Sequence, residues 1–138
     1  MKVSLEEVTV PDQEISILIV DDQATIRSLL TEILSPRYRC VGVERASEAL
    51  RLMQLQHFRI ALIDLGLPGM SGLSLCRLVT NQSPRTAVIV VSGQTDKKSI
   101  DEALEAGASG FLAKPFTLRE AMTAVERVLE RHSPGAVA

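Results

Sequence analysis

The stretch Ile60-Ala61-Leu62-Ile63-Asp64-Leu65-Gly66-Leu67-Pro68-Gly69-Met70-Ser71-Gly72 decides the fold. Its opening residues are uniformly apolar and lack the polar alternation of a strand with one wet face, so they read as a strand buried on both faces. Asp64 closes that run, and Gly66, Pro68, Gly69 and Gly72 interrupt regular structure behind it. Leu75, Cys76 and Val79 then recur at helical spacing. A doubly covered strand, a turn and a helix in that order are half of a parallel α/β unit.

The same unit recurs on either side. Residues 17–20 and 87–91 are further uniformly apolar runs, and residues 40–43 and 110–113 read as two weaker strands. Between them lie single apolar faces: Ile26, Leu29, Leu30 and Ile33; Ala46, Ala49, Leu50 and Met53; Ile100, Ala103 and Leu104. Gly107 is placed to stop the third of these. A last helix is announced by Thr117 with Glu120 three residues on, a capping box, followed by Leu118, Met122, Val125 and Leu129 on one face. Strict alternation of strand and helix predicts an α/β fold, a doubly wound, five-stranded parallel sheet with right-handed crossovers.

Composition bounds the rest. With 138 residues, 46% of them apolar, the chain builds one core, and 3% aromatics with no Trp leave that core to Val, Ile, Leu and Ala. A net charge of -2 lacks the basic excess that direct nucleic-acid binding requires. Cys40 and Cys76 form no C-x-x-C unit and read as buried free thiols; His57 and His132 stand without neighbouring ligands and read as surface residues. The longest apolar run, residues 87–91, is far below membrane-spanning length. Residues 1–15 are acidic, with no signal-peptide core, and read as an N-terminal extension; residues 16–132 read as the domain, and residues 133–138 as a flexible tail or linker stub. A soluble, cytoplasmic protein is expected.

In such sheets ligands bind beyond the carboxyl ends of the strands. Asp21 and Asp22 follow the first strand, Asp64 ends the third, Ser92 ends the fourth, and Lys114 with Pro115 follows the fifth. Three carboxylates converging from two adjacent strands either raise one another's pKa or recruit a cation, and a hard divalent ion such as Mg²⁺, which takes oxygen ligands and keeps waters, is the simpler answer. Lys114 adds a compact positive charge and Ser92 a hydroxyl donor, a set that suits phosphoryl transfer to a carboxylate. Each residue alone has a plainer reading. Asp22 reads as a helix cap, Asp21 as a solvated carboxylate, Asp64 and Ser92 as turn residues, Lys114 as a surface lysine. Their coincidence at one sheet edge favours a site.

Val20-Asp21-Asp22, the segment from Asp64 to Gly72, Val91-Ser92-Gly93 and Lys114-Pro115-Phe116, in that order, resemble the response regulator receiver family of two-component signalling, over about residues 16–132. The resemblance implies a flavodoxin-like (βα)5 fold with strand order 2-1-3-4-5. It makes Asp64 the acceptor of a phosphoryl group from a histidine kinase or phosphotransfer protein. It makes Asp22, Asp64 and the Gly66 carbonyl ligands of Mg²⁺, with Asp21 acting mainly through water. Ser92 becomes the switch hydroxyl and Lys114 its partner on the phosphoryl oxygens, before a cis Lys114–Pro115 bond. Phe111 matches the aromatic switch position, with a plain core aromatic as the alternative, and Gly66 and Gln94 flank the phosphoryl group. The output face would be the fourth helix, fifth strand and fifth helix, read by an output domain or partner protein or by a second copy. Such a chain is a signalling receiver that assists its own phosphorylation and dephosphorylation, not an enzyme. A phosphatase working through an aspartyl-phosphate would want a second carboxylate two residues after the nucleophile, where Gly66 stands. A pure interaction module would not need all five polar residues.

Overall fold

The computed structural model describes residues 15–132. Strands and helices alternate as β1 (Ser16–Val20), α1 (Ala24–Leu34), β2 (Arg39–Val43), α2 (Ala46–Leu55), β3 (Ile60–Asp64), α3 (Gly72–Gln82), β4 (Ala87–Ser92), α4 (Lys97–Glu105), β5 (Gly110–Ala113) and α5 (Leu118–Arg131). All strand pairs are parallel and the sheet order is β2-β1-β3-β4-β5, as expected.

Side chains alternate across each strand, so every central strand feeds two cores. Leu18, Val20, Ala61, Ile63, Val88 and Val90 pack with Ala46, Ala49, Leu75, Cys76, Val79 and Ala103 from α2, α3 and α4. Ile17, Ile19, Ile60, Leu62, Ile89 and Val91 pack with Leu30, Leu34, Ala121, Val125 and Val128 from α1 and α5. Both faces of β1, β3 and β4 are thus dry, which explains their unbroken apolar runs; burying one such Val, Leu or Ile contributes about 1.5–3 kcal/mol.

The two weaker strands are the two edges. In β2, Arg39 and Gly42 are exposed and Cys40 is half-buried, so the expectation of two buried thiols holds only for Cys76. Ile15, placed in the extension by its sequence, packs against the second core, and its carbonyl accepts from Arg39 N–H at 2.9 Å. The rest of the extension, residues 1–14, and residues 133–138 lie outside the described residues.

Local signals work as read at Gly107, which follows α4 with φ +104°, and at the reciprocal Thr117–Glu120 box, with bonds of 3.0 and 2.9 Å. Two further caps were not anticipated: Ser71 Oγ accepts from Ser74 N–H at 3.1 Å, and Asp96 Oδ2 from Ser99 N–H at 3.2 Å. His57 and His132 are exposed. Among the described residues no helix is long and apolar enough to cross a membrane.

Candidate functional site

Strand register brings the polar residues to one edge. Val20 pairs with Ile63, Asp64 with Val91, and Ser92 with Ala113, so the last residues of β1, β3, β4 and β5 stand side by side. Backbone pairing runs one residue further, with Asp21 N–H donating to Val43 O at 3.1 Å and Lys114 N–H to Ser92 O at 2.8 Å. Asp21, Asp22 and Asp64 each present a carboxylate oxygen, and these oxygens all lie within 4.8 Å of one another. Lys114 Nζ reaches across the sheet edge to Asp21 Oδ2 at 3.2 Å and Asp64 Oδ1 at 3.4 Å, and donates to Gln23 Oε1 at 3.2 Å.

One local device orients three of these side chains. Gln23 N–H donates to Asp21 Oδ1 at 2.9 Å, Gly66 N–H to Asp64 Oδ1 at 3.2 Å, and Gln94 N–H to Ser92 Oγ at 3.0 Å. Each is the two-residue side-chain turn that Asp and Ser favour where a strand ends. The turn reading and the site reading of Asp64 and Ser92 are therefore the same structure: one oxygen is fixed by the loop and the group is held in place for other contacts.

The remaining plain readings do not hold. Asp22 does not cap α1; the N-cap is Gln23, which makes no side-chain capping bond and gives its amide oxygen to Lys114 instead. Asp21 is not solvated, being 1% exposed, while Asp22 is open to solvent. Lys114 is no free surface lysine, since only 18% of its side chain is accessible and its ammonium is shared by three oxygens.

Burial pushes the Asp21 carboxyl above the usual carboxylate range, the nearby Asp64 adds to the rise, and the Gln23 N–H and Lys114 ammonium work against it. Asp21 Oδ2, buried, faces the Lys114 ammonium at 3.2 Å without an aligned hydrogen bond. Three carboxylates against one ammonium leave a local negative excess with oxygen donors only, one of them buried against the shared ammonium and one facing water. That donor set fits a hard divalent cation that retains part of its hydration shell.

Glycines set the access. Gly66 would carry a Cβ 3.9 Å from both Asp64 carboxylate oxygens, in ordinary van der Waals contact and without a clash. At Gly72 a Cβ would overlap the Asp64 carbonyl oxygen and come 2.5 Å from Leu65 Cα, so α3 begins flush against the backbone of Asp64, its first N–H donating to Leu65 O at 3.3 Å. The sequence reading placed Gly72 in a turn and missed this contact; a glycine directly after a Ser cap, where helices do not need one, was the available signal. Phe111 is half-buried against the first core, beside a groove of about 560 Å³ that runs along β5 and α5 past Arg119, Arg127 and Arg131. The Lys114–Pro115 bond is cis, as the sequence resemblance implied.

Comparison with known proteins agrees with this geometry. The family model of the response regulator receiver domain matches residues 17–126. The two-component response regulator PhoP of Pseudomonas aeruginosa is 35% identical over 118 residues, 85% of this chain and 52% of that protein. A CheY-like receiver domain protein of Methanospirillum hungatei superposes with a TM-score of 0.82 at 28% identity, covering 88% of this chain and 98% of the other. The BeF3-activated receiver domain of DrrB, a Thermotoga maritima OmpR/PhoB homologue, gives 0.78 at 30% identity, covering 84% and 97%. The chain spans about half the length of PhoP and 26% of the NtrC regulator of Proteus hauseri. With a matching family model over most of its length and the carboxylate and lysine cluster at the strand ends, the chain belongs to the response regulator receiver domains of two-component signalling, whose general function is to accept a phosphoryl group.

Proposed function

We propose that Asp64 is the acceptor in this chain: a carboxylate oxygen attacks the phosphorus of a phosphohistidine on a kinase or phosphotransfer protein, the P–N bond breaks, and an acyl phosphate remains on Asp64. The observation that carries this reading is Lys114 Nζ at 3.4 Å from Asp64 Oδ1, inside a group of three carboxylates drawn from two strands. Asp22, Asp64 and the Gly66 carbonyl would hold Mg²⁺, with Asp21 bound to it through water. Bound there, the ion supplies the positive charge that lets anionic phosphoryl oxygens approach this acidic edge. Lys114 pairs with those oxygens and Ser92 Oγ–H donates to one of them. The chain acts as a signalling receiver that assists its own phosphorylation and dephosphorylation. Gly66, with no side chain over the carboxylate, leaves water a path to the acyl phosphate.

Phosphorylation adds roughly 1.5–2 negative charges at one point. Ser92 and Lys114 are drawn towards them, and the loop after β4 and the Phe111 ring follow in a shift between two populated states. The readout surface is α4, β5 and α5, where Leu104 is 55% exposed and the groove beside Phe111 lies; a second copy, an output domain or a partner protein would bind there. The functional unit is residues 16–132 with Ile15 packed onto it, the rest of residues 1–15 as an extension and 133–138 as a tail or linker, in a cytoplasmic protein that makes no direct nucleic-acid or membrane contact through this domain.

Beryllofluoride with Mg²⁺ tests the reading on native protein and Asp64→Asn, which keeps an acceptor for the Gly66 N–H. Native protein should show Mg²⁺-dependent amide shifts at Asp64, Gly66, Ser92 and Phe111, and a one-phosphoryl mass gain from acetyl phosphate, both absent from Asp64→Asn. Equal labelling of the two proteins, or none of the native one, would sink the assignment.

A further inference from the structure

Asp22 differs from its two companions in having nothing to aim it. Asp21 is fixed by the Gln23 N–H and Lys114, and Asp64 by the Gly66 N–H and Lys114. The exposed Asp22 carboxylate makes no hydrogen bond or ion pair among the described residues. With no side-chain partner to hold it, where it can reach is set by the backbone from which it springs, and the carbonyl of the preceding peptide unit, Asp21 O, accepts from Arg27 Nη1 at 2.8 Å.

Arg27 is built to hold that carbonyl. Its own N–H donates to Gln23 O at 3.0 Å in the first turn of α1, so the residue belongs to the helix that closes the loop. Its stem lies over Gly42 of β2, where a Cβ would stand 3.6 Å from Arg27 Cδ and any larger side chain would crowd it. Asp21 N–H is meanwhile pinned to Val43 O. The second partner of Arg27 is acidic, Glu44 Oε2 at 3.7 Å, but it is half exposed, and such pairs contribute little.

We infer that Arg27 is a positioning residue: its guanidinium fixes the Asp21–Asp22 peptide plane and thereby points the Asp22 carboxylate into the cation site. The inference rests on the proposed Mg²⁺ site. Its sign separates it from a simple charge effect. Arg27 is a cation near a cation site, so electrostatics alone make its removal strengthen Mg²⁺ binding; loss of positioning makes it weaken binding.

The test is Mg²⁺ titration of metal-free protein followed by amide chemical shifts, well below the unfolding temperature. Arg27→Met and Arg27→Gln, both too short or too apolar to serve Asp21 O, should weaken Mg²⁺ binding roughly tenfold to a hundredfold, the range expected when a residue that orients a metal ligand is lost. Both should also move the Asp22 amide resonance before metal is added. Arg27→Lys should recover part of the affinity, and Glu44→Gln should stay within about twofold of native. Having two neutral variants keeps the test available if one fails to fold. Native-like or tighter Mg²⁺ binding by a folded neutral variant overturns the inference. Asp22→Asn separates the two levels: if it binds Mg²⁺ as native does, the metal reading itself fails, whereas its loss of binding beside a native-like Arg27→Met rejects only the role of Arg27.

Discussion

Replacing Gly72 by alanine, with Gly66→Ala as its companion, asks whether α3 really starts against the backbone of the acceptor. At Gly72 the added methyl would overlap the Asp64 carbonyl oxygen and sit 2.5 Å from Leu65 Cα, both backbone atoms that cannot swing aside. Overpacking of this kind costs about 1–3 kcal/mol, offset by about 0.4–1 kcal/mol because alanine narrows the unfolded ensemble, a net loss of about 1–2 kcal/mol. At Gly66 the methyl meets only the Asp64 oxygens at 3.9 Å and φ is not positive, so the unfolded-state gain stands alone and the variant should be unchanged or stabler by up to about 1 kcal/mol. Urea unfolding followed by circular dichroism suits a chain without Trp. Thermal midpoints should separate by several degrees, at about 4 °C per kcal/mol for a domain of this size. Gly72→Ala should also bind Mg²⁺ more weakly, because the strain is relieved by moving Asp64. A Gly72→Ala protein as stable as native, or stabler than Gly66→Ala, would refute the close approach.

Asp21 has a raised pKa in the folded state, so folded protein holds a proton that unfolded protein releases; stability from this group is present at low pH and falls as pH rises from the unfolded value of 3.8 through the folded one. Metal-free Asp21→Asn should therefore gain on native protein as pH is raised from 4 towards 7, as read by urea midpoints, while losing affinity for Mg²⁺. Mg²⁺ should raise the melting temperature of native protein and chelation should reverse it, with about 2.7 kcal/mol gained at a hundred times the dissociation constant; Asp64→Asn should respond less. Thr117→Ala removes the cap of α5 and should cost about 1 kcal/mol by denaturant titration. Burial raises the Cys40 thiol to about 11 and pushes the Cys76 thiol up as well, so near pH 7.5 a thiol reagent should label native protein slowly and urea-unfolded protein fast.

The fold was legible where burial is two-sided. Residues 17–20, 60–63 and 87–91 feed two cores at once, and a strand with no wet face has no choice but to be apolar throughout. Residues 40–43 and 110–113 were faint because β2 and β5 are edges, and the same cause misled the reading of Cys40. At the site, residue types were readable but burial was not: nothing in two adjacent aspartates says that Asp21 turns inward and Asp22 outward, because that follows from the pairing of Asp21 N–H with β2, a long-range event. Gly72 and Arg27 meet backbone atoms of the aspartates; the glycine after a Ser cap left a faint signal of this, whereas nothing in the pattern of side chains marks the contact of Arg27.

The three turns that fix Asp21, Asp64 and Ser92 each close over two residues of their own loop. The reactive end of the molecule is thereby specified by its own loops and by Lys114 and β2 beside them, with helical support entering through the first turns of α1 and α3. The outward surfaces of α2, α4 and α5 are left out of that specification and can diverge without disturbing it. Such a separation makes this end of the domain a transferable part, one that can be joined to unrelated readers while each reader evolves its own recognition surface on the helices.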